Sequence, residues 1–266
     1  MRMLAFLRKT LLENVREWKI LSLSLVFAPF FVYLMYGYFR ASPGPDPLHD
    51  LVIKLSGAEG LTEFDLYVPA LLVLAIIMVM FTAAATLIKE VDKGTMTRLM
   101  LSKLRTRELL TAVSLAQVII GTVTLLLAYL AAFSVGYRPR GSLGAVLAVG
   151  ALSTVAVVAI SVLVAAFLNT IFELLTVGCF PFFVLLFFSD AMFPLPKIPL
   201  FSLAGHAVNA ADILPTSLTV RAFGAILNEG AGLRGVAFEL AGIAVLTAVY
   251  FALGTWLFCR RHMRVT

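Results

Sequence analysis

Charged residues divide the chain into long uncharged stretches. Runs without Asp, Glu, Lys or Arg cover 20–39, 66–88, 109–137, 141–172, 174–189 and 240–259, with lengths of 20, 23, 29, 32, 16 and 20 residues. An α-helix rises ~1.5 Å per residue, so the ~30 Å hydrocarbon core of a bilayer takes ~20 residues. Five runs meet that length. The remaining one is short and carries Pro181, but extended back to Asn169, with Glu173 at an interface or against protein, it completes six spans. The pattern predicts an all-α polytopic membrane protein. It forms a single domain over 1–266, with spans at about 20–39, 66–88, 109–136, 142–168, 170–189 and 237–258. A transmembrane barrel would instead show alternating segments of ~10 residues.

The segments between the runs add detail. In 1–19, Leu4, Leu7, Leu11, Leu12, Val15 and Trp18 recur at helical spacing with basic residues opposite, which predicts an amphipathic helix lying on the inner surface. The first run is too long for a signal peptide and reads as an uncleaved span. The loop 40–65 is rich in Pro and Gly and net negative, with room for a short helix. In 190–234, the prolines of "DAMFPLPKIPLF", Pro194 among them, exclude one regular helix. Further on, Thr216 or Ser217 suits an N-cap, and Leu218, Ala222, Phe223, Ile226 and Leu227 continue at helical spacing. A segment this apolar is expected to dip into the bilayer edge as a re-entrant or short helix.

Composition supports the membrane reading. The chain is 61% hydrophobic and 14% charged, against about 25% charged for a soluble domain. The formal net charge of +6 does not point to nucleic acid, because the basic residues flank apolar runs. On the six-span scheme, 14 Lys and Arg lie on the side holding both termini and 7 on the other. The positive-inside rule therefore expects both termini in the cytoplasm, in the cell (plasma or inner) membrane.

Several kinds of chemistry are not supported. Cys179 and Cys259 form no metal or redox motif, and no metal site is expected. His49, His206 and His262 fall outside the spans, and no acid pair lies within one. An integral-membrane enzyme would need such a set in one cavity, and a secondary transporter often carries charge at mid-span. Both remain as alternatives. No G-x-x-x-x-G-K-[ST] loop is present to cradle ATP phosphates. Among the few polar residues within spans, Ser114, Gln117 and Thr122 are candidates for a translocation pathway. Gln117 stands out, because an amide in lipid needs a partner. It satisfies itself either by a helix–helix hydrogen bond or by facing a pathway. Spans this apolar favour an apolar or amphipathic cargo.

The densest charge cluster is "KEVDKGTMTRLMLSKLRTREL", 89–109, with six basic and three acidic residues. Gly94 breaks the helix and Thr95 suits a new N-cap. Met96, Leu99, Met100 and Leu104 then form one apolar stripe among basic residues. Thr106 can cap the third span, with Glu108 in its first turn. A helix of about ten residues is unstable alone in water, so its stripe needs support from the bilayer or from a partner protein.

This stretch, with what precedes it, "FDLYVPALLVLAIIMVMFTAAATLIKEVDKGTMTRLMLSKLRTRELL", resembles the membrane subunits of ATP-binding-cassette (ABC) exporters of the type-2 permease class. "AMFPLPKIPLF" and "ADILPTSLTVRAF", with Pro194, Pro215 and Arg221, are similar to that class's external segment. Two departures are the Leu-Pro at Pro215, where Asn-Pro is commoner, and "VPA", where Val-Pro-Gly is commoner.

The resemblance implies six helices per subunit and a homodimer or pseudo-dimer. It also implies two copies of a cytoplasmic ABC ATPase subunit, which would hold the ATP and Mg; this chain would bind no cofactor. The loop between the second and third spans is implied to be a coupling helix docked on the ATPase. Glu90, Gly94, Thr95, Arg98 and Leu99 are the matching positions. Gly94 and Thr95 would set the turn, Met96, Leu99 and Met100 would fill the docking groove, and Arg98 would pair with its rim. The implied activity is ATP-driven export; the cargo is not implied by the resemblance, and it is the apolar spans that lean toward a drug-like natural product, a peptide or a lipid.

Overall fold

The computed structural model describes residues 2–16, 18–41, 61–92, 106–191, 199–203 and 206–262. Its elements in chain order are α1 (Arg2–Arg16), α2 (Trp18–Ala41), α3 (Glu63–Ile77), α4 (Val79–Asp92), α5 (Thr106–Ser134), α6 (Leu143–Ala165), α7 (Ile171–Thr176), α8 (Cys179–Phe187), β1 (Pro199–Leu203), β2 (His206–Asn209), a 3-10 turn (Ala210–Ile213), α9 (Pro215–Leu227) and α10 (Ala237–His262). Each expected span has a helical counterpart. Among the described residues, four helices are long and apolar enough to cross a membrane: Glu63–Asp92, which joins α3 and α4 through Met78, then Leu110–Ser134, Leu143–Ala165 and Ala237–Arg261. The protein is therefore a mostly helical, multi-pass membrane protein.

Local chemistry sets the helix starts. Thr62 and Asp65 form a reciprocal capping box: Thr62 N–H donates to Asp65 Oδ2 at 2.8 Å, and Asp65 N–H donates to Thr62 Oγ1 at 3.3 Å. Ser142 caps α6 by accepting from Ala145 N–H at 3.3 Å. Thr170 accepts from Glu173 N–H, and Glu173 Oε2 accepts from Asn169 N–H at 2.7 Å. Glu173 thus belongs to the cap that opens α7, the segment expected to begin near Asn169.

α3 and α6 hold the centre. The most apolar window of Glu63–Asp92 is 83% buried, whereas that of α10 is 11% buried. α6 packs against α3, α4, α5, α9 and α10. Small residues bring these helices close. A Cβ on Gly254 of α10 would lie 2.9 Å from the Leu163 backbone N of α6, and one on Gly121 of α5 would lie 2.7 Å from Thr154 Cγ2. The break in the fifth apolar segment falls at Val177–Gly178, and Pro181, three residues after Gly178, sits in the first turn of α8, where its missing N–H costs little.

Two elements between Pro199 and Leu227 depart from the expected pattern. First, β1 and β2 form an antiparallel hairpin pairing Pro199 with Asn209 and Leu203 with His206, so the fold is not purely helical. Prolines that bar a helix still permit an edge strand. Second, α9 begins at Pro215, with Leu214 at the cap position and no side-chain cap bond. Thr216 and Ser217 lie inside its first turn, both buried. Proline presets the first helical φ and lacks the N–H a cap would satisfy, so the helix starts without a hydroxyl cap. The expected stripe of Leu218, Ala222, Phe223, Ile226 and Leu227 is fully buried.

Candidate functional site

One apolar cluster gathers a whole end of the molecule. Leu7 of α1 and Ile171 of α7 pack against buried Leu87 and Ile88 of α4, Leu110 and Val113 of α5, Val162 of α6, Leu168, and Phe258 of α10. The amino-terminal helix, both flanks of the 93–105 loop and the carboxyl-terminal end of α10 therefore share one end. Gly94, Thr95, Met96, Arg98, Leu99 and Met100 themselves lie outside the described residues, as does Pro194. α5 already runs from Thr106, one residue earlier than a Thr106 cap requires.

Glu90 is described, in the last turn of α4. Lys9 Nζ of α1 donates to its Oε1 at 3.0 Å and lies 3.6 Å from Glu13. Partial burial opposes the Lys9 charge. The hydrogen bond and charge of Glu90, then those of Glu13, outweigh it, so the ammonium holds its proton above the ordinary lysine range. At the same end the Arg261 guanidinium lies 4.9 Å from the Phe167 ring centroid, and that of Arg260 lies 5.2 Å from Trp256. The Lys9 partner was not legible in the sequence, because 81 positions separate the two and neither sits in a shared motif.

Gln117 is fully buried and faces α4. Its Oε1 accepts from Thr82 Oγ1 at 2.9 Å, and its Nε2 donates to Thr86 Oγ1 at 3.4 Å. Thr82 has a second acceptor, the Val79 carbonyl at 3.0 Å, and Thr86 donates to the Thr82 carbonyl at 2.8 Å. The amide thus clamps α5 to α4, the first of the two roles the sequence left open. Thr82 and Thr86, one turn apart in an apolar span, were the overlooked signal. Ser114 and Thr122 donate to the carbonyls four residues back, Leu110 at 2.8 Å and Val118 at 2.7 Å. The structure brings Ser114, Gln117 and Thr122 onto one helix but not into one hydrogen-bonded group.

At the opposite end, α9 runs back along α6 and α10. Tyr250 Oη donates to the Ile213 carbonyl at 3.0 Å, a Cβ on Gly242 would touch Leu218, and Arg221 faces Glu239. On α6, Ser153 Oγ lies 2.7 Å from Thr219 Oγ1. Tyr250 is 13 residues into α10, about 20 Å from its start. The 3-10 turn therefore lies about half the length of α10 in from its start, and α9 rises from there to the end where Tyr137 donates to Asn228 Oδ1 at 3.0 Å. Burial pushes the Tyr137 phenol well up from its ordinary range. Arg221 Nη1 donates to Asp212 Oδ2 at 3.1 Å.

A search of curated proteins finds no match. The family model described as "ABC-2 family transporter protein" matches residues 53–256, more than three-quarters of the chain, including both flanks of the 93–105 loop, the Gln117 clamp and α9. The chain belongs to the ABC-2 family of transporter proteins.

Proposed function

We propose that this chain is the membrane permease subunit of an ATP-driven exporter, working as a homodimer or pseudo-dimer with two copies of a separate cytoplasmic ABC ATPase. The observation that carries the reading is the single end where α1, both flanks of the 93–105 loop and the end of α10 share one core. On the six-span scheme, 14 of the 21 Lys and Arg fall to that side, which by the positive-inside rule supports a cytoplasmic placement, where an ATPase is found. The Gly94–Thr95 turn and the Met96, Leu99 and Met100 stripe form the docking helix, with Arg98 at the rim. Closure of the ATPase pair on ATP, held there with Mg, pushes this helix. The Lys9–Glu90 bridge and the shared core carry the push into α1, α4 and α5 as a rigid unit. Large apolar faces support contact with lipid and with a second copy: Phe172 and Phe180 of the α7–α8 segment are each 74% exposed. The apolar spans favour a drug-like natural product, a peptide or a lipid as cargo, taken from the cytoplasm or inner leaflet.

The test is affinity purification of the full chain from its native membrane in mild detergent. The expected result is a co-purifying ABC ATPase whose ATP hydrolysis changes when the two are reconstituted together. A chain that transports without any ATPase would contradict the reading and favour a secondary transporter.

A further inference from the structure

The deep end of α9 carries an ion cluster that the docking scheme does not use. Asp212, in the 3-10 turn, is almost fully buried. Its Oδ2 accepts from Asn209 N–H at 2.8 Å and from Arg221 Nη1 at 3.1 Å, and its Oδ1 lies 3.4 Å from Ser217 Oγ. A second carboxylate approaches the same guanidinium from α10: Glu239 Oε1 is 3.9 Å from Arg221 Nη2, at the outer limit of an ion pair. A further donor, Arg221 Nε, is buried without a hydrogen-bond partner. One cation thus stands between two acids, bonded well to one, poorly to the other, and with a donor to spare. A partly buried charge left half-satisfied costs stability, and a guanidinium favours paired, planar contact with a carboxylate.

We propose that Arg221 is a two-position arm that fastens the Asn209–Ile213 turn through Asp212 and releases it by turning to Glu239. In the fastened position Asp212 also caps the turn through Asn209 N–H and lies near the start of α9, where a negative charge suits the helix dipole. In the released position Arg221 joins α9 to the first turn of α10, and the turn loses its charged tie to the body of α9, keeping the Asn209–Asp212 cap and the Tyr250 hydroxyl on the Ile213 carbonyl. Both carboxylates compete for one guanidinium, so removing either acid biases the arm toward the other. This inference rests on the fold alone and stands apart from the ATPase reading.

Thr216 supplies a reporter. It is buried in the first turn of α9 and its hydroxyl has no partner, so Thr216→Cys changes little and becomes reactive only when the turn opens. The experiment uses the full chain in lipid nanodiscs with Cys179→Ala and Cys259→Ala, and measures the rate of labelling by a small maleimide. Asp212→Asn is expected to label about tenfold faster than its parent, and Glu239→Gln about threefold slower, because labelling follows the open population. Equal rates in Asp212→Asn and its parent overturn the proposal. So does faster labelling in both variants, which is what plain loosening of a structural ion cluster would give. If Asp212→Asn yields no monodisperse protein, Glu239→Gln decides alone: slower labelling supports the arm, and an unchanged or faster rate overturns it.

Discussion

Gln117 shows how far a single residue can be read. The sequence marks it as costly in lipid without a partner, and the structure supplies two, Thr82 and Thr86. The threonines also have backbone acceptors of their own, Val79 and Thr82. Gln117→Leu should therefore leave neither hydroxyl stranded and cost only about 1 kcal/mol, the scale of interhelical hydrogen bonds in membranes. Gln117→Glu buries a carboxylate with no cation beside it and should cost several-fold more, about 3 kcal/mol or above. Thermal unfolding of the two variants in one detergent checks the order. A Gln117→Leu protein as stable as its parent but unable to transport would assign the residue to a pathway. Serine and threonine were the least legible residues, because a hydroxyl can return its proton to its own helix, as Ser114 and Thr122 do.

At the level of elements, the hydrophobic runs located the helices well, since bilayer-length apolar stretches have few other solutions. The ends of elements were harder to read. The N-cap expected at Thr216 or Ser217 was displaced by Pro215, and the β1–β2 hairpin has no strong alternation to announce it. Contacts between elements were not legible at all: nothing in "GTW" indicates that Gly254 lies against the backbone of α6. Because Leu163 N and the Ala159 carbonyl leave no room for a Cβ, Gly254→Leu should push α10 off α6 and cost about 1–3 kcal/mol, read as a lower unfolding temperature. α1 offers a test with a defined pH sign. Its Lys9 is raised above the ordinary value of 10.5 by Glu90 and Glu13, so its tie to α4 is complete below that value. The tie is lost as pH rises through the higher folded value. Spin labels on α1 and α4 should hold one distance from pH 7 to 9 and separate only at stronger alkalinity, whereas Lys9→Gln should separate them at pH 7. A distance that drifts between pH 7 and 9 would refute the tie.

For the whole molecule, the apolar runs were enough to announce a multi-pass helical membrane protein, and four of the described helices are long and apolar enough to span. That the amino-terminal helix, the flanks of 93–105 and the end of α10 meet in one core could be read only from the structure. The substrate was not legible, because apolar spans bind by shape and carry no diagnostic chemistry. The central claim is that this end docks an ATPase through the 93–105 loop. The direct measurement is binding of the purified ATPase to the Leu99→Arg permease in nanodiscs, with transport read in proteoliposomes, beside the unaltered pair. The account predicts that a charge in the apolar stripe weakens binding at least about tenfold and abolishes ATP-driven transport, with the permease still folded by its unfolding temperature. Binding and transport equal to those of the unaltered pair would contradict it.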